Sequence, residues 1–71
     1  MFDKKLDMTM SQSQFHNVKL VTNNNKVITG RVDMYESEWD SGKNEPCIGI
    51  DIPGENLFYI SNIKSLEIID D

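Results

Sequence analysis

From Val18 onward the apolar residues of this chain fall into short alternating runs, each cut off by Asn, Gly, Pro or Ser. Runs of that length and period suit strands with one wet face, and they are too short for stable helices. In Val18 to Thr22, positions 18 and 20 share a face; Asn23 to Asn25 then form a turn, since Asn tolerates the left-handed backbone of tight hairpins. The run Val27 to Tyr35 puts Ile28, Val32 and Met34 on one face around Gly30, with Thr29, Arg31 and Asp33 on the other. A glycine in mid-strand marks a sharp bend, a bulge or the close approach of another segment. Glu36 to Pro46 is the longest connection. Cys47 to Ile52 alternates again, with Ile48, Ile50 and Ile52 inward and Cys47, Gly49 and Asp51 outward. Pro53-Gly54-Glu55-Asn56 is a turn in which Pro presets one backbone angle and Gly supplies a positive one. Leu57 to Ile60 is a fourth strand, Ser61-Asn62 a break, and Ile63 to Ile69 a fifth strand with Leu66 and Ile68 on one face.

Five short strands and no long helix predict an all-β fold, a small, strongly bent five-stranded SH3-like barrel over residues 15–71. Residues 1–14 are polar. Phe2, Leu6 and Met10 recur every fourth position, which is compatible with one face of a short helix lying across a barrel end, but so short a helix is marginal without a packing partner. A polar tail fits the same residues, and Ser11 to Gln14 reads as a linker. With 71 residues the chain is one small domain that hides only about 60% of its unfolded surface. The single Cys47 excludes an internal disulfide framework, so association with further copies is the expected staple. A lone thiol, no apolar run near the roughly 18 residues of a membrane span, and no secretion signal at the N-terminus lead us to expect a cytoplasmic protein with no membrane role.

Twelve acidic against seven basic residues give a net charge of −5. Bulk electrostatic binding of nucleic acid needs the opposite sign, so no DNA partner is expected and any RNA contact must rest on a local site. Catalysis is not expected. His16 is the only histidine and precedes the first strand, where it suits a surface or strand-capping role; Cys47 has no Cys or His at metal-ligand spacing. Glu36, Glu38 and Asp40 echo the first ligands of a calcium loop, but Ser41 and Cys47 stand where Gly and Glu are required, leaving a solvated acidic loop. No cofactor or metal is expected. Trp39, the only Trp, lies in that loop, where it either folds back to cap the core or faces outward for an interface or a nucleobase.

These features together resemble the Sm-like (LSm) family of ring-forming β-barrel proteins, over roughly residues 15 to 69. In that family an apolar alternation runs into a turn Gly, followed by a second Gly in the bent second strand, an apolar residue two places on, and then Asp-x-x-Met-Asn. Here Asn25 replaces the turn Gly, Gly30 and Val32 match, and Glu36, Trp39 and Asp40 stand at the Asp, Met and Asn positions. Ile60-Ser61-Asn62 corresponds to the second motif, Ile-Arg-Gly. The resemblance implies a single-stranded RNA site formed by Glu36, Trp39, Asp40, Ser61 and Asn62, with the residue at position 39 stacking on a base. It also implies a homo-oligomeric ring in which the fourth strand of one subunit pairs with the fifth of the next, through Leu57, Phe58, Tyr59, Ile60, Leu66, Ile68 and Ile69.

The replacements alter the chemistry. Asp40 accepts hydrogen bonds but does not donate them when ionised, and Ser61 brings no charge where the family has Arg. Two expectations therefore stand side by side: an oligomeric Sm-like module that binds RNA around Trp39, and a ring-forming structural or protein-interaction module that does not. A third, an SH3-like peptide binder, would gather Tyr35, Trp39 and Tyr59 into one aromatic groove.

Overall fold

The second strand organises the fold, because each half of it serves a different neighbour. The computed structural model describes residues 2–70. It contains α1 (Lys4–Gln12), β1 (Asn17–Thr22), β2 (Val27–Glu36), β3 (Cys47–Ile50), β4 (Leu57–Tyr59), a 3-10 turn (Ile60–Asn62) and β5 (Ile63–Ile68). All pairings are antiparallel and form one sheet in the order β4-β3-β2-β1-β5. The first half of β2 pairs with β1, from Val21↔Val27 to Asn17↔Arg31. Its second half pairs with β3, from Val32↔Ile50 to Glu36↔Cys47. At the changeover a Cβ on Gly30 would lie 2.7 Å from Ile50 Cγ2 and 2.9 Å from Ile52 Cγ2. Here the glycine marks close approach, and the absent side chain lets the sheet fold over itself.

The architecture is mostly β, with five antiparallel strands in one bent sheet. Hydrogen bonds do not close it into the expected barrel. The 3-10 turn carries the chain from β4 directly to the far side of β1, so β4 and β5 end up at opposite edges. The core comprises Met10, Val18, Leu20, Ile28, Val32, Ile48, Ile50, Phe58, Ile60 and Ile63. Each such side chain contributes roughly 1.5–3 kcal/mol when fully buried.

Three expectations change. A bulge between Val32 and Met34 reverses the alternation, so Tyr35, opposite Ile48, packs against the core in place of Met34, which lies opposite Gly49. Cys47 is on the face away from Ile48 yet is wholly buried, flanked in register by Glu36 and Tyr59, with Lys43 Nζ 5.1 Å from the Tyr59 ring centre. Ser11 to Gln14 is no linker: the helix runs to Gln12, and Ser13 is buried with its Oγ donating to Met10 O at 2.6 Å.

The N-terminal segment forms the helix because its apolar face has somewhere to go. Met10 is buried, and Phe2 and Leu6 pack against the core. Asp3 caps the helix, its Oδ1 accepting from Lys5 N at 2.9 Å and Leu6 N at 3.3 Å. Tyr35 Oη donates to Asp7 Oδ1 at 2.6 Å and so ties α1 to β2. Beyond the helix, Asp70 accepts from Asn17 N at 2.6 Å and meets His16 Nδ1 at 2.6 Å, pinning the start of β1 to the end of β5. These contacts, the Asn17 N–H first, hold the Asp70 carboxyl below the ordinary carboxylate range.

Replacing Gly30 with Ala is expected to cost about 1–3 kcal/mol, because Cγ2 of each Ile is attached directly to Cβ and has little room to retreat; an unchanged urea midpoint would refute the close approach. Tyr35→Phe is expected to lose about 1.5–3 kcal/mol with its hydrogen bond to a charged acceptor. Burial, followed by the Asp7 hydrogen bond and charge, raises the Tyr35 phenol above its ordinary range. The folded chain thus favours the protonated phenol, and this advantage is complete below pH 10 and lost as pH climbs above it. Urea melts at rising pH should therefore show the gap between wild type and Tyr35→Phe narrowing only on the alkaline side.

Candidate functional site

The connection from β2 to β3 is held by its own hydrogen bonds. Asp40 N and Ser41 N donate to Ser37 O, both at 3.0 Å, and Ser41 Oγ donates to Glu45 O at 2.6 Å. Gly42 (φ 83°) and Asn44 (φ 59°) take left-handed backbone, so the loop reverses within a few residues. Its far end meets the turn between β4 and β5, where Glu45 Oε1 accepts from Ser61 N at 2.9 Å. The same turn is tied to the β1–β2 hairpin, Asn23 N donating to Asn62 O at 3.0 Å and Asn23 Nδ2 to Ser61 O at 2.5 Å.

Of the five residues expected around an RNA site, Ser61 and Asn62 stand on this turn. Glu36 is half-buried at the end of β2, with Oε1 3.7 Å from Cys47 Sγ. Asp40 is exposed, its Oδ2 accepting from Ser37 Oγ at 3.3 Å. Trp39 is 84% exposed, which excludes the core-capping role. Two hollows divide the neighbourhood. A groove of about 550 Å³ lies between α1, the β2–β3 loop and the turn, and Ser61 lines it together with Phe2, Leu6, Ile60, Ile63, Asp3, Glu38, Asn44, Glu45 and Lys64. Asn62 lines the other hollow, of about 400 Å³, beside Thr22, Asn23, Asn24, Lys26, Glu55 and Phe58.

The electrostatics near Trp39 are anionic. Glu38 adjoins it in sequence, Glu45 holds the turn, and Lys64 sends its Nζ to Asn25 Oδ1 at 2.9 Å. Burial, then the nearby Glu36 charge, raises the Cys47 thiol and so disfavours its thiolate, the nucleophilic form. The aromatic groove of a peptide binder does not form, because Tyr35, opposite Ile48, and Tyr59, opposite Cys47, lie on opposite faces of the sheet.

Along the expected assembly edges, Leu57, Ile68 and Ile69 are exposed, Tyr59 and Leu66 partly buried, and Phe58 and Ile60 belong to the chain's own core. Sequence reasoning missed Glu38, Asn44 and Glu45 as lining residues. Their position depends on two left-handed turns in a loop without periodicity, whereas Phe2 and Leu6 were readable as a helix face. The helix followed by five antiparallel strands is consistent with Sm-like topology. Compared with protein-family models, curated proteins and solved structures, the chain matches none.

Proposed function

We propose that this chain is a self-assembling module of the Sm-like kind, whose copies join β4 of one to β5 of the next and close into a ring that serves structure or protein interaction. One observation carries the reading: the sheet order leaves β4 and β5 as its two edges, each with a strand neighbour on one side only. Unpaired edges with few protecting charges invite pairing, and Leu57, Ile68 and Ile69 add exposed hydrocarbon beside them. Pairing the two different edges is a head-to-tail contact, and such contacts form rings when the rotation between copies closes.

A second reading, RNA held at the β2–β3 loop, is favoured by the exposure of Trp39. Base stacking there is worth roughly 1–3 kcal/mol per base. Against it stand Glu36, Glu38, Asp40 and Glu45 in the same loop and its flanks, and a Ser61 N–H already taken by a carboxylate. Each phosphate brought to the loop would meet like charge, so we assign the module to protein assembly.

Light scattering at micromolar concentration should give a mass that is a whole multiple of the chain's, and Leu57→Lys should shift it toward the monomer. A folded, monomeric wild type would refute the assembly. With the oligomer intact at low salt, uridine-rich and adenine-rich oligonucleotides should leave Trp39 fluorescence unchanged; a saturable change would instead favour the RNA reading.

A further inference from the structure

The groove between α1, the β2–β3 loop and the turn into β5 adjoins the first residues of β5, Ile63 and Lys64, and lies away from the exposed Ile68 and Ile69 at the far end of that edge. Its floor is apolar, formed by Phe2 and Leu6 from the helix segment, Ile60 from the turn and Ile63 from the start of β5. Its rim is anionic. Asp3 stands at the helix cap, Glu38 near the start of the loop and Glu45 at its end. Asp3 uses Oδ1 for the cap and Glu45 uses Oε1 for the Ser61 N–H, so each keeps a second oxygen for another partner.

Three carboxylates face one ammonium, Lys64, among the lining residues, so the balance of the lining is anionic. Lys64 donates its Nζ to Asn25 Oδ1 at the β1–β2 hairpin, and no Lys or Arg forms a salt bridge with Asp3, Glu38 or Glu45 among the described residues. Three carboxylates around a hollow with low-dielectric walls focus a negative potential into it. At about 550 Å³ it falls within the size range of ligand pockets. An apolar floor beneath an acidic rim selects a ligand that carries hydrocarbon and positive charge together.

We infer that this groove docks a short basic-apolar peptide segment, with an apolar side chain on the Phe2, Leu6, Ile60 and Ile63 floor and Lys or Arg groups at Asp3, Glu38 and Glu45. A peptide fits better than a small cation because the three carboxylates come from separate places around the rim. Meeting them takes several positive groups on one backbone. Trp39 follows Glu38 in the chain, and its exposed ring offers a further cation a π face.

Titration of the isotope-labelled full chain by NMR with acetyl-Leu-Lys-Lys-Leu-amide should move the amides of Leu6, Glu38, Glu45 and Ser61 and saturate below about 1 mM. The matching Leu-Glu-Glu-Leu and Ser-Lys-Lys-Ser peptides should not saturate in that range. Glu38→Lys should weaken binding about tenfold and Glu38→Gln by less, while Glu55→Lys, the same charge change beside the other hollow, should have little effect. The inference is overturned by no saturation, by shifts centred on Asn23 and Asn24, by equal binding of the Ser peptide, or by equal weakening in Glu38→Lys and Glu55→Lys.

Discussion

The structure depends on β2 being shared between two partners. Ten residues pair first with β1 and then with β3, and the chain turns between these roles at Gly30, where two isoleucines of the β3 segment occupy the space a side chain would need. The bulge just beyond resets which residues face inward. Because of it Tyr35 looks toward the core and reaches Asp7, so the helix is anchored to the same strand that bends the sheet. Bend, bulge and helix anchor are therefore one connected arrangement.

That arrangement leaves two kinds of unsatisfied surface. At the sheet edges it is backbone hydrogen bonding, which a second strand satisfies without regard to sequence. In the groove it is charge, which only a partner of opposite sign satisfies. The first supports association of like copies and the second supports selection of a different molecule. On the proposed reading, assembly by one surface and recognition by another would leave the two properties open to separate change.

Much of the sheet could be read from the residues, because alternation reports a strand with one buried face and Asn or Gly reports a turn. Asn25 and Gly54 do take positive φ as their turns require. The reading failed where alternation was broken locally. Met34 was placed inward by strict period two, and nothing in Asp33-Met34-Tyr35 announces the bulge. Cys47 was placed outward by the same rule, yet it is wholly buried between its register partners Glu36 and Tyr59. The helix face of Phe2, Leu6 and Met10 was visible, but whether it formed depended on a packing partner that only the folded sheet supplies. The acidic rim was hidden for a related reason: Asp3 is far in sequence from Glu38 and Glu45, and the path of the loop that carries the latter two passes through two left-handed residues.

The pairing of β1 with β5 has a consequence for how the chain reaches this structure. Val18 lies opposite Ile68, about fifty residues away along the chain, whereas the β1–β2 hairpin and the β3–β4 pair close over much shorter spans. The sheet cannot be completed hairpin by hairpin. Closing that long span costs more chain entropy than closing either hairpin, by an amount that grows only slowly with loop length. Contacts of such long sequence separation slow folding relative to a sheet built from hairpins alone.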